Sequence, residues 1–79
     1  MRRILALALA ADIALGQPAE ALPHAVEAVA IYREAAQLNP GRFNLHLAAA
    51  LDTLARILSM LDRTAEAAAV RAEATVLRK

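Results

Sequence analysis

The stretch Leu15-Gly16-Gln17-Pro18-Ala19-Glu20-Ala21 returns 46 residues later as Leu61-Asp62-Arg63-Thr64-Ala65-Glu66-Ala67. A chain that repeats itself at such a period is built from stacked supersecondary units. These present a surface more often than they perform chemistry. The constraint is severe, because 79 residues hold only two such units. Each unit has one face that only a neighbour can bury, and about three units are normally needed for a secure stack.

The units are expected to be helical. Alanine supplies 22 positions, and the chain has one Phe, one Tyr and no Trp. Ala and Leu favour helix, whereas the β-branched and aromatic residues that favour strands are sparse. Nine basic and eight acidic side chains leave a formal net charge of +1, spread along the length. No field is left to draw in nucleic acid or an anionic membrane, and base-stacking aromatics are missing. The absence of cysteine removes disulfides, thiolate zinc sites and cysteine nucleophiles, in keeping with a reducing cytoplasm.

The beginning of the chain has two readings. Arg2-Arg3 followed by Ile4-Leu5-Ala6-Leu7-Ala8-Leu9-Ala10 looks like the start of an export signal. The run ends before Asp12, near the lower limit for such a region and far short of a membrane span. Residues 4–15 also align with 50–61 ahead of the repeated motif, which favours a repeat helix.

Punctuation divides the chain. Gly16-Gln17-Pro18 ends one helix and starts another. Asn39-Pro40-Gly41 is the strongest break, after which Asn44 stands as a candidate N-cap. At Leu61-Asp62-Arg63 an Asp occupies the place of Gly16, and Asp tolerates left-handed backbone better than most residues. Four helices are therefore predicted, over 2–15, 18–38, 45–61 and 63–78.

Leu47, Leu51, Leu54, Leu58 and Leu61 recur at helical spacing on one face of the third. In the second, Leu22, Val26, Val29 and Ala36 form one stripe, and Ala21, Ala25 and Ala28 a neighbouring stripe of small residues. Ala67, Val70, Ala74 and Leu77 do the same in the fourth. Short connections make consecutive helices antiparallel, so the expected fold is all-α, two helical hairpins stacked side by side.

Leu15-Gly16, then Ala19-Glu20-Ala21-Leu22, Ala25, Ala28-Val29-Ala30-Ile31-Tyr32-Arg33-Glu34 and the closing Asn39-Pro40 resemble a tetratricopeptide repeat, in its long bacterial variant. The likeness continues from Phe43-Asn44 through Leu54-Ala55-Arg56-Ile57-Leu58 and spans the chain as two units, 2–40 and 41–79, of a single domain over 1–79. It implies a short α-solenoid. Three positions depart from the pattern: Pro23 falls inside the second helix, where it should kink the helix or delay its start. Asp12 stands opposite Leu58, with Arg33 as a candidate partner, and Ala68 stands opposite Leu22.

No residue pattern points to catalysis, a cofactor or a metal. His24 and His46 have no second histidine at i,i+3 or i,i+4, Ser59 lacks a nucleophile elbow, and two glycines do not make a phosphate loop. One polar group shares a face: Asp52, Arg56 and Ser59, opposite the leucine stripe. The resemblance implies that they face a ligand groove, with Arg56 gripping a carboxylate or peptide carbonyl and Ile13 at the apolar end. Alternatively Asp52 and Arg56 are a solvated i,i+4 pair. The expected function is non-enzymatic: a cytoplasmic protein-interaction module that holds a protein or peptide on Ile13, Asp52, Arg56 and Ser59. The alternative is a self-assembly element, a four-helix bundle or dimerising segment that pairs with a second copy, since exposed apolar ends need a neighbour.

Overall fold

The computed structural model describes residues 18–79. These form three helices: α1 over Pro18–Leu38, α2 over Pro40–Met60 and α3 over Thr64–Leu77. The arrangement of four helices in two hairpins is corrected here. The described residues hold three helices, and α2 is shared, with α1 packed on one flank and α3 on the other. The first predicted helix, over 2–15, lies outside the described residues, as do Asp12 and Ile13.

The reason is legible on α2 itself. Its buried residues are Leu47, Ala48, Ala50, Leu51, Leu54, Ala55, Ile57 and Leu58, which at 3.6 residues per turn sweep about half of the helix circumference. A helix apolar over so wide an arc takes a neighbour on each side rather than one. Leu51 and Ile57 are the largest side chains that are fully buried, each contributing roughly 1.5–3 kcal/mol relative to exposure. On α1 the buried residues are Ala21, Ala25, Ala28, Val29 and Ala36. Small side chains there let the two backbones approach closely. On α3 only Ala67 and Ala74 are fully covered, with Val70 and Leu77 packed at the edge of the core.

Both connections are antiparallel turns. The start of α2 differs from the predicted one: the helix begins at Pro40, not near Asn44, and Asn39 is the cap, its side chain accepting from the Arg42 amide at 3.3 Å. Proline's fixed φ and missing N–H suit the first helical position, so Pro40 opens α2 while ending α1. Gly41 is then helical. Across this turn Tyr32 and His46, equidistant in sequence from Asn39, stack with centroids 5.7 Å apart.

Beyond α2 the chain reverses through Leu61, Asp62 and Arg63. Asp62 has φ 60°, the left-handed conformation expected of it. The amide of Arg63 donates to the Leu58 carbonyl at 2.9 Å and that of Asp62 to Ser59 at 3.2 Å. These two bonds make a Schellman motif with Asp where Gly usually stands. Pro23 neither stops nor delays α1, which runs continuously from Pro18. The bond that Pro23 lacks would reach Ala19 in the first turn, where little is lost to solvent.

α1 and α3 do not pack on each other. The described residues span 32 × 29 × 14 Å.

Candidate apolar groove

Between the outer helices, on the side of α2 that carries Leu54 and Leu58, lies a groove of about 460 Å³. Leu22 and Val26 of α1 form one wall, Ala69 and Val70 of α3 the other, and Leu54 and Leu58 the floor. Arg63 and Glu66 stand on the rim, joined by an ion pair of 2.7 Å. Val26, on this wall, is 51% exposed. This exposure follows from the alanine stripe: the close contact of α1 with α2 is made by Ala21 and Ala25, which turns Leu22 and Val26 to the edge.

One ion pair decides where the groove lies. Arg33 of α1 bonds with both guanidinium nitrogens to Glu73 of α3, the Nη2–Oε1 contact being 3.3 Å. The hydrogen bond to Glu73 raises the pKa of Arg33, with desolvation acting the other way and the charge of Glu73 adding to the rise. Both residues sit in the C-terminal halves of their helices, whereas the groove walls come from the N-terminal halves. The outer helices are thus bridged by this ion pair at one end, and the groove lies at the other. The partnership considered between Arg33 and Asp12 falls on a residue outside the described ones.

The four residues predicted to meet a ligand fall elsewhere. Ile13 is outside the described residues. Asp52, Arg56 and Ser59 do share one face of α2, and that face is turned away from the groove. There Asp52 accepts from Arg78 at 2.5 Å and the Ser59 hydroxyl from Arg71 at 3.3 Å, so two of the three are held by α3. Arg56 is exposed and forms no ion pair with any described residue.

The two histidines are placed as surface and boundary residues. His24 is half-buried. His46 packs its ring against Tyr32 and Phe43, with Nδ1 3.1 Å from the Arg42 carbonyl. Among the described residues no cluster of three His, Cys, Asp or Glu has metal-ligand geometry, and no buried side-chain polar atom lacks a partner. No described helix is long and apolar enough to cross a membrane.

The sequence puts Leu22 and Val26 in one apolar stripe and does not mark Arg63, Glu66 or Ala69 as groove residues; Leu22 packs partly buried against the core and Val26 stays exposed. The available signal was the pair of adjacent apolar stripes on α1, too wide for a single helix contact. No family model matches the chain, and no curated protein or solved structure matches it either.

Proposed function

We propose that this chain is a non-enzymatic protein-interaction module whose apolar groove takes up an apolar segment of another polypeptide. The observation that carries it is Val26, half-exposed on the wall of a groove floored by Leu54 and Leu58. An apolar concavity with an ionic rim suits apolar side chains from a partner, the rim charges fixing its orientation. The tetratricopeptide resemblance supports the same class of function, and the absence of cysteine fits a cytoplasmic setting. The polar face of Asp52, Arg56 and Ser59 offers a weaker ligand surface, because Arg78 and Arg71 already occupy two of its groups.

The test is a titration of a fluorescein-labelled amphipathic helical peptide with a leucine face by the full chain. Saturable anisotropy is expected, with Val26→Glu weakening it by at least about tenfold, near 1.4 kcal/mol. Leu45→Glu, at a position 66% exposed on the far side of α2, is the control. Equal losses from both variants, or no saturation, would rule the groove out.

A further inference from the structure

We propose that the face of α2 turned away from the groove, together with the flank of α3 beside it, binds an acidic segment of a partner polypeptide in extended conformation. Arg71 and Arg78 occupy the acceptors of Ser59 and Asp52, and in doing so they set two cations beside Arg56. The face is therefore closed to a ligand that needs a free hydroxyl or carboxylate. It is open to one that brings carboxylates of its own.

The two contacts fix the register of a row of cations. Asp52, Arg56 and Ser59 stand at i, i+4 and i+7 on α2, and Arg71 and Arg78 at i and i+7 on the antiparallel α3. With Ser59 beside Arg71 and Asp52 beside Arg78, Arg56 lies between the two, and the row runs for about 10 Å at the helical rise. Arg78 is neutralised by Asp52. Arg71 donates only to a hydroxyl and Arg56 pairs with no described residue, so two positive charges stand unanswered about one helical turn apart. The remaining carboxylates of these helices, Glu66 and Glu73, are engaged by Arg63 and Arg33, and Asp62 in the turn pairs with neither arginine of the row.

A guanidinium presents a planar fork of donors that matches a carboxylate, and such charge-assisted bonds are the stronger kind. Side chains on one face of an extended segment recur every 6.7 Å or so, about the spacing that a row of this length can meet with acidic residues two apart. Nucleic acid fits less well. Two unanswered charges displace few counterions, and the Phe and Tyr that could stack bases pack with His46 near the start of α2.

Titration of the full chain with an acetylated, amidated hexaglutamate peptide, followed through the arginine side-chain resonances by NMR, tests the assignment. Saturable shifts at Arg56 and Arg71 are expected, and they should vanish in about 1 M salt, where the Debye length is about 3 Å. Arg56→Gln and, separately, Arg71→Gln should each weaken binding about threefold or more. Arg42→Gln, at an exposed arginine stacked over Phe43, is the control and should change it by less than about twofold. All three positions are exposed, and unchanged circular dichroism would verify that the helices persist. Val26→Glu should also leave this binding intact, which separates it from the fate of the groove.

No saturable shift, or a loss from Arg42→Gln as large as from the row, would overturn the proposal by leaving only general charge attraction. Inorganic phosphate that shifts the same resonances at equal concentration would overturn it in favour of a small-anion site. Tighter binding of an oligothymidylate of equal charge would overturn it in favour of nucleic acid.

Discussion

Arg33 and Glu73 are joined through both guanidinium nitrogens, although the helices that carry them make no other close approach. Each side chain is partly exposed, 47% and 39%, so solvent screens the pair and its worth is that of a good surface ion pair. Its role is geometric: it closes one end of the gap between α1 and α3 and leaves the groove at the other.

Removing the pair should cost little stability. In a double-mutant cycle of Arg33→Ala with Glu73→Ala, the coupling is expected to be about 0.5–1 kcal/mol and to shrink in 1 M salt, where the Debye length falls to about 3 Å. The sign with pH follows from the raised pKa of Arg33. Its stabilisation is fully present below the ordinary arginine pKa and is lost only as pH rises through the raised one, above the neutral range. Urea melts at pH 6 and pH 8 should therefore give the same coupling; a coupling above about 2 kcal/mol would mark the pair as more desolvated than its exposure indicates.

The core prediction contrasts Ile57 with Leu38. Ile57 is 0% exposed on the central helix, and Ile57→Ala should cost about 2–5 kcal/mol by lost transfer energy plus a cavity. Leu38 is 87% exposed at the end of α1, and Leu38→Ala should stay within about 0.5 kcal/mol. Thermal denaturation of the two variants measures both; comparable losses would mean that α2 is not the shared centre.

Overpacking probes the same centre from the other direction. Ala21 and Ala55 are each 0% exposed, and their small size sets how near the helices approach. Ala55→Leu has no room without moving a helix and should cost about 1–3 kcal/mol. Ala68→Leu, on the exposed side of α3, should be nearly neutral. A stabilised Ala55→Leu would reveal space beside α2 that the packing does not contain.

Helix content and the second turn were readable from the chain, because Ala and Leu favour one backbone state and Asp62 stands where the first copy has Gly16. The start of α2 was not, since Asn39 and Asn44 are both competent caps and the choice depends on Pro40 acting at once as a stop and as a first residue. The groove was harder still. Leu22 and Val26 have the spacing of a core stripe, and whether they are covered depends on which stripe of α1 meets α2. Close approach favours the alanines, an outcome of packing between helices that no local pattern contains. Likewise Asp52 and Ser59 look like a ligand face until Arg78 and Arg71, far along the chain, are brought beside them.

The N-cap gives a prediction free of the core. Asn39 bridges α1 and α2 alone, and its side chain satisfies the Arg42 amide, one of the donors that α2 leaves unpaired at its start. Asn39→Ala should cost about 1 kcal/mol, and Asn39→Asp should cost less because a carboxylate also suits the positive end of the helix dipole. Denaturant midpoints of the two variants decide it. Equal losses would assign the effect to the turn's backbone rather than to the cap.

Asp62 holds the second turn in a conformation that costs most L residues roughly 1–2 kcal/mol, and aspartate somewhat less. Both Schellman hydrogen bonds depend on that φ of 60° and neither uses the Asp side chain. Asp62→Gly removes the steric cost while freeing the unfolded chain, two effects of opposite sign. The net change is expected to be a stabilisation of up to about 1 kcal/mol, and Asp62→Val, branched at Cβ, should destabilise by more than that. A thermal melt that ranks Gly above Asp and Asp above Val would establish the turn as a site of backbone strain; a Gly variant less stable than the parent would show that the carboxylate itself matters there.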